Sequence, residues 1–216
     1  MHKSLRLQAG FSLVELSIVL LIVGLLVGGI IGGASSFIQH ANSREADRQL
    51  DLIRESLIGF LVENGRLPCA DSDGDGLEEG PDPCEGWGEP PYAQLGVPRR
   101  DPWGGTYRYR IAIAFAGENL PDSQSSFALD TNGNIDVRDA PACGGNTIAV
   151  GMAAIVVSEG ANRGNGSSDE DENIDDNNCF VLKAYSTTPG SEFDDRLMWI
   201  SPAILKAKLV EVDKLP

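Results

Sequence analysis

Residues 10–38 read GFSLVELSIVLLIVGLLVGGIIGGASSFI, in which one carboxylate, Glu15, precedes a run without charged residues from Leu16 to Ile38. As a helix with a rise of about 1.5 Å per residue, this run extends about 35 Å, against about 30 Å of bilayer hydrocarbon. The stretch therefore predicts a helix that spans a membrane. A carboxylate inside such a helix costs roughly 2.5 to 3.5 kcal/mol, so Glu15 is predicted to have a partner or a function.

The residues before Phe11 form a short basic leader that contains Lys3 and Arg6. By the positive-inside rule, this leader keeps the N-terminus cytoplasmic and sends the rest of the chain outward. An ordinary secretory signal has about 7 to 15 apolar residues and is cut after them. The apolar run here is longer, which favours a retained helix. An uncleaved signal anchor and a cut near Gly33-Ala34-Ser35 are the alternatives.

Gly10, Phe11 and Glu15, followed by the apolar run, resemble the type IV pilin and type II secretion pseudopilin family. In that family the leader ends in Gly, the mature chain starts with Phe and the fifth mature residue is Glu. The resemblance implies that a prepilin peptidase cuts between Gly10 and Phe11 and that the new Phe11 amine is N-methylated. It also implies that Glu15 serves assembly by meeting the charged Phe11 amine of a neighbouring subunit. The implied partners are the peptidase, other pilin or pseudopilin subunits and an inner-membrane assembly platform.

The helix is predicted to continue over residues 39–65. Apolar residues recur there at spacings of three and four, at Ala46, Leu50, Ile53, Leu57 and Leu61. Gly65 and Pro68 supply a stop signal. We therefore expect one helix from about Phe11 to Asn64, with residues 11–38 in the membrane or the fibre core and residues 39–65 docked on a domain.

Residues 66–216 are predicted to form one globular domain with short strands. Tyr107 to Phe115 alternates apolar and other side chains as a half-buried strand does. Three more elements are predicted: a hairpin pairing Phe127 and Leu129 with Ile135 and Val137 across Asn132-Gly133, a central strand in Thr147–Ser158, and a terminal helix from Ser201-Pro202 to about Val212. The predicted fold class is α+β and pilin-like, a long N-terminal helix packed on a small antiparallel sheet.

The resemblance extends more weakly into this domain. Asp101-Pro102-Trp103-Gly104 with Tyr107 is similar to the segment that enters the sheet in major pseudopilins. Ser158, Gly160 and Asn162, which precede an acidic loop, resemble their calcium-binding segment.

The domain contains four cysteines, Cys69, Cys84, Cys143 and Cys179. Outside the cytoplasm they predict two disulfides, for which three connectivities are possible. We favour Cys69 with Cys84, because this pair closes a polar loop and restricts the unfolded chain. Cys143 would then pair with Cys179.

The acidic residues form two clusters. The first has oxygen ligands at the alternate positions typical of a calcium loop: Asp71, Asp73, Asp75, Glu79 and Asp82. The second is a dense run in residues 169–176, for which the family resemblance implies calcium, with Asp169, Asp171 and Asp175 as candidate ligands. For both clusters, a solvated acidic loop is the alternative.

The charge and the residue types restrict the function. The formal net charge is −15 at pH 7, and it falls to −17 when Lys3 and Arg6 leave, so nucleic acid is not expected as a partner. His40 is the last histidine of the chain, so no histidine-dependent catalytic arrangement is available to the outer domain, and we expect no catalytic residues.

We therefore expect a structural subunit, a pseudopilin or minor pilin, of a type II secretion or type IV pilus-like fibre. It would cross the inner membrane once with a cytoplasmic N-terminus and a periplasmic domain, and then enter a periplasmic or surface fibre. The alternative is a membrane-anchored extracytoplasmic module for calcium-dependent binding or adhesion.

Overall fold

The computed structural model describes residues 12–80, 84–117, 126–163 and 166–215, and only the backbone of residues 27–36. The chain divides into two compact units, Met1–Ser43 and Arg44–Pro216. The second unit therefore includes the later part of the predicted helix.

Helix α1 comprises Leu13–Asn64, and the one-turn helix α2 (Tyr92–Leu95) follows it in the chain. Ser12 stands at its N-cap position, where its Oγ accepts a hydrogen bond of 3.3 Å from the Glu15 amide. The helix stops at Gly65, which has φ +70° and donates its amide to the Leu61 carbonyl at 2.8 Å. The predicted stop is confirmed, and Phe11, the predicted start, lies outside the described residues.

No helix in the described part of the chain has both the length and the apolar character needed to cross a membrane. The membrane span predicted over residues 11–38 is therefore not confirmed.

The main sheet is antiparallel and four-stranded, in the order β1-β2-β5-β7. Its strands are β1 (Trp87–Gly88), β2 (Arg108–Ile111), β5 (Ala154–Ser158) and β7 (Arg196–Ile200). Tyr107, Tyr109 and Ile111 are buried, as the alternation predicts. The strand ends sooner than predicted, because a 3-10 helix at Ile113–Phe115 follows it and leaves Ile113 exposed.

One face of this sheet packs against helices of the same unit. The buried face of α1 comprises Leu50, Ile53, Leu57 and Leu61, which share one hydrophobic cluster with Tyr107, Tyr109, Val156, Leu205 and Leu209. The last two belong to α4 (Pro202–Glu211), which follows Ser201 and has proline in its first turn. The terminal helix and the docked part of α1 are thus confirmed.

A second, three-stranded sheet covers the other face. It has the order β4-β3-β6, with β3 at Ile135–Arg138, β4 at Thr147–Met152 and β6 at Cys179–Val181. Strand β3 pairs antiparallel with β4 and parallel with β6. The predicted antiparallel sheet is the main sheet, against which the helices pack. Ile135, Val137 and Phe180 pack against Ile155 and Val157 of β5, whose five residues are all buried.

Two predicted strand assignments need correction. The apolar run Thr147–Ser158 forms two strands in different sheets, β4 and β5, with only Ala153 between them, and Gly151 near the end of β4 has φ +66°. The described residues 126–134, around Phe127, form no strand. The Phe127 ring packs on Phe115 with centroids 4.7 Å apart, and β3 takes β4 as its hairpin partner. Burial of Phe127 in the helix-sheet core outweighed the local turn signal.

Both favoured disulfides are confirmed. Cys69 bonds to Cys84 and Cys143 to Cys179, with Cα atoms 5.4 Å apart in each pair. The first brackets the acidic loop that follows α1. The second joins the start of β6 to the loop between β3 and β4.

Candidate functional site

Two groups of three carboxylates occur among the residues that the structure describes. One comprises Asp71, Asp73 and Glu79, and the other Glu170, Asp194 and Asp195. In each group, one oxygen from every residue lies within 4.8 Å of the others. None of the second group, Glu170, Asp194 and Asp195, was predicted as a ligand.

The first group lies in the loop after α1, where main-chain amides bind its carboxylates. Asp71 accepts hydrogen bonds from Gly74 at 2.6 Å and Gly76 at 2.7 Å. Glu79 accepts from the Ser72 amide at 2.8 Å and from the Ser72 hydroxyl, which lowers the pKa of Glu79. The loop is thus closed by its own hydrogen bonds.

Two more ligands were predicted in this loop, and the described one, Asp75, does not join the group. Asp75 is exposed, and its Oδ1 accepts a hydrogen bond from the Leu77 amide at 2.8 Å. Asp82 lies outside the described residues.

The second group is more deeply buried. Glu170, in the one-turn helix α3 (Ser168–Asp171), is fully buried, and Asp195 is 4% exposed. Glu170 Oε1 accepts a hydrogen bond of 2.7 Å from the Asp194 amide. Glu170 Oε2 accepts one of 2.8 Å from Asn162 Nδ2. The main chain before β7 is therefore bound directly to Glu170.

Two oxygens of this group have no hydrogen-bond partner among the described residues. They are Asp194 Oδ1 and Asp195 Oδ1, both buried. The second oxygen of Asp194 accepts from the amides of Ala161 at 2.9 Å and Asn162 at 3.3 Å. A buried carboxylate oxygen without a donor is costly unless a cation or a proton satisfies it.

Two glycines bring the main chain close to these carboxylates. A Cβ at Gly160, which has φ +64°, would overlap Asp194 Oδ1, and a Cβ at Gly166 would overlap Glu170 Oε2. Only glycine fits so close an approach without displacing a carboxylate. Gly160 belongs to the segment that resembles the family's calcium-binding segment.

The electrostatics of the group disfavour three ionised carboxylates without a counterion. Burial raises the pKa of Asp195 to about 8. The hydrogen bond from Asn173 lowers this pKa, whereas the negative charge of Glu170 raises it further. Burial also raises the pKa of Asp194. Because hard oxygen donors are the ligands that Ca²⁺ prefers, this donor set fits that ion.

The structure does not bring the ligands predicted in this segment, Asp169, Asp171 and Asp175, into the group of Glu170. The structure directs Asp169 to Lys183, leaves Asp171 exposed, and has Asp175 accept a hydrogen bond of 2.6 Å from Asn177. Successive helical residues point about 100° apart, so burial of Glu170 turns Asp169 and Asp171 away. The adjacent acids before the last strand, Asp194 and Asp195, were the signal that the sequence analysis missed.

The two domain segments that resemble pseudopilins meet in space. Asp101 Oδ1 accepts hydrogen bonds from the amides of Trp103 at 3.0 Å and Gly105 at 2.8 Å, and so closes the Asp-Pro-Trp-Gly turn. Its Oδ2 accepts one of 2.6 Å from the Ser158 hydroxyl, at the end of β5. This turn therefore supports the main chain that leads to Gly160.

The N-terminal site is described only from Ser12 onward, so Gly10 and Phe11 lie outside the described residues. Glu15 is exposed and stands in the first turn of α1. A carboxylate is favourable there because the helix N-terminus carries partial positive charge.

Comparison with known proteins gives three findings. The family described as "Type II secretion system (T2SS), protein G" matches residues 35–119, and the "Prokaryotic N-terminal methylation motif" matches residues 5–31. The type II secretion system core protein G of Xanthomonas campestris pv. campestris is 35% identical over 104 residues, which cover 48% of this chain and 69% of that protein. No solved structure matches the chain.

Proposed function

The chain belongs to the type II secretion system protein G family, and we propose that cleavage between Gly10 and Phe11 and methylation of the Phe11 amine prepare it for its fibre. The protein is a structural subunit of a type II secretion fibre, a pseudopilin. The observation that carries the proposal is the methylation motif over residues 5–31, which contains Gly10, Phe11 and Glu15 in the family's spacing. The enzyme that would cut this bond is a prepilin peptidase.

Before assembly, the subunit would cross the inner membrane once. The support is the charge-free run from Leu16 to Ile38, preceded by Lys3 and Arg6, because this order of charges favours a cytoplasmic N-terminus. The domain would then lie in the periplasm, an oxidising compartment that permits the disulfides Cys69–Cys84 and Cys143–Cys179.

In the fibre, Glu15 would pair with the Phe11 amine of a neighbouring subunit. The described structure leaves Glu15 exposed and without an ion pair of its own among the described residues. A charge in a dry helical core is tolerated when it is paired, and removal of one partner is strongly destabilising. Assembly would bring other pseudopilins and an inner-membrane platform into contact with this helix.

Glu170, Asp194 and Asp195 would bind one Ca²⁺ ion that stabilises the domain. The support is the pair of buried oxygens without donors, Asp194 Oδ1 and Asp195 Oδ1, in a group made only of carboxylates. Bound calcium would supply a positive charge that lets all three carboxylates remain ionised. The group of Asp71, Asp73 and Glu79 is the second candidate, and its carboxylates already accept main-chain hydrogen bonds.

Mass spectrometry of the N-terminus of the protein isolated from its membranes tests the processing. A chain that begins with methylated Phe11 supports the proposal. An intact Met1, or a new end near Ala34, would instead support the alternative of an anchored or released calcium-dependent adhesion module.

Thermal melting tests the cation site. The full-length protein in detergent should melt at a higher temperature with Ca²⁺ than with a chelator, because an ion that binds only the folded state stabilises it. Equal melting temperatures in the two conditions would exclude calcium binding to the folded domain.

A further inference from the structure

The hydrogen bond that holds Asp195 comes from a residue outside the acidic group. Asn173 Nδ2 donates to Asp195 Oδ2 at 2.8 Å, while Asp195 Oδ1 has no donor among the described residues. One oxygen of this carboxylate is thus bound by protein, and the other is left for a ligand. Fixing one oxygen also limits rotation of the carboxylate.

Asn173 is itself completely fixed. It is fully buried, its Nδ2 also donates to the Val181 carbonyl at 3.0 Å, and its Oδ1 accepts from the Val181 amide at 2.7 Å. Exchanging the amide nitrogen and oxygen would lose all three hydrogen bonds, so their pattern defines the orientation of the side chain. Asn173 therefore links Asp195 to β6 by hydrogen bonds, so that the position of the strand fixes the position of the Asp195 carboxylate.

Strand β6 is anchored covalently at its other end. Cys179, its first residue, is bonded to Cys143 in the loop between β3 and β4. Between the two attachments, Phe180 is buried against the second face of the main sheet. The disulfide thus restrains the strand on which Asn173 depends.

The same segment also supplies Glu170. The Asn173 amide donates to the Glu170 carbonyl at 3.0 Å, so the two residues lie on the same turn of chain. The side chain of Glu170 belongs to the carboxylate group, and the side chain of Asn173 holds Asp195, a second member of that group, in place.

We propose that Asn173 is a positioning residue of the calcium site and that it acts through Asp195. The Cys143–Cys179 disulfide holds β6, the strand that Asn173 is hydrogen-bonded to, in place. The proposal rests on calcium binding by Glu170, Asp194 and Asp195. Outer hydrogen-bond partners of metal ligands typically change affinity about 10- to 100-fold when they are removed. Asn173→Ala should weaken calcium binding by a factor in this range, because Asp195 then loses the donor that orients it.

The test is calorimetric titration of Ca²⁺ into the full-length protein in detergent. Asp73→Asn with Glu79→Gln serves as the background, so that the first acidic group does not contribute. Asn173→Ala is compared with Leu209→Ala, which truncates a buried side chain of α4. Leu209 lies in the hydrophobic cluster between α1 and the main sheet, not in the cluster that contains Phe180. Leu209→Ala should lower the melting temperature and leave the calcium Kd unchanged, whereas Asn173→Ala should raise the Kd.

A second pair of variants keeps the test decisive if Asn173→Ala does not fold. Cys143→Ser with Cys179→Ser should raise the calcium Kd, whereas Cys69→Ser with Cys84→Ser should not, since that disulfide brackets the other loop. If the parent binds calcium and both Asn173→Ala and the Cys143/Cys179 variant keep its Kd, the positioning role is refuted and calcium binding stands. If the parent binds no calcium, both proposals fail together.

Discussion

The guanidinium of Arg66 forms a two-point ion pair with the carboxylate of Glu78, with Nη1–Oε2 at 2.7 Å and Nη2–Oε1 at 2.9 Å. Glu78 Oε2 also accepts the Cys69 amide at 2.9 Å. Burial alone would raise the pKa of Glu78, but the hydrogen bonds from Arg66 and Cys69 and the charge of Arg66 lower it overall. The pair ties the acidic loop to the end of α1.

Glu78→Gln should destabilise the domain by about 3 to 5 kcal/mol, because it removes the carboxylate that pairs with the guanidinium of Arg66, whose side chain is only 4% exposed. Chemical denaturation of the full-length protein in detergent measures this. Glu211→Gln is the matched control: it breaks an exposed pair with Lys208 and should cost less than about 1 kcal/mol. Equal effects of the two substitutions would contradict the structural role of the buried pair.

Without calcium, the domain should lose stability as the pH rises. The pKa of Asp195 lies at about 8 in the folded protein, against an ordinary value of 3.8, so the folded state retains a proton that the unfolded chain releases. The contribution is therefore complete below about pH 4 and disappears as the pH passes through about 8. Melting temperatures in chelator between these pH values check this, and Asp195→Asn should flatten the dependence.

The calcium effect should depend on the second acidic group. Calcium at a hundredfold excess over the Kd should add about 2.7 kcal/mol to the free energy of unfolding and so raise the melting temperature. Glu170→Gln with Asp195→Asn should abolish this rise in melting temperature. Asp73→Asn with Glu79→Gln changes the other group by the same number of charges and should preserve the rise. The opposite result would move the calcium site to the loop between Cys69 and Cys84.

Glu15→Gln should be cleaved and inserted normally but should enter fibres poorly, because the neutral amide cannot pair with the Phe11 amine of a neighbour. The measurement is the fraction of processed subunit that sediments with fibres. Ser12→Ala is a control that removes the hydroxyl capping α1 and retains the carboxylate of Glu15. Normal incorporation of Glu15→Gln would argue against charge pairing in the fibre.

Gly10→Val should block processing and leave a chain about ten residues longer in the membrane. A peptidase must approach the backbone closely at the cut bond, and only glycine presents no side chain there. Ala9→Val, one residue earlier, is the comparison, since it adds similar bulk without altering the cut residue. Mass spectrometry distinguishes the products, and normal cleavage of Gly10→Val would remove the basis for placing the cut after Gly10.

The main elements were predictable where a local pattern coincided with burial. The spacing of Leu50, Ile53, Leu57 and Leu61 predicted the docked face of α1, and the alternation of Tyr107, Tyr109 and Ile111 predicted β2. The prediction of a single central strand failed for an apolar run that contributes one strand to each sheet. Nothing local in Thr147–Ser158 distinguishes an edge strand from a central strand, because both are apolar and only the neighbours differ.

The sequence by itself determined the family and the end of the long helix at Gly65, and it favoured the Cys69–Cys84 bond, because each depends on residues near one another in the chain. Only the tertiary structure decided which acids meet. Glu170 lies more than twenty residues from Asp194, and the two converge because α3 buries one acid of its run while the segment just before β7 carries Asp194 and Asp195. Sequence shows how many carboxylates a loop carries, whereas burial and distance depend on how distant segments pack.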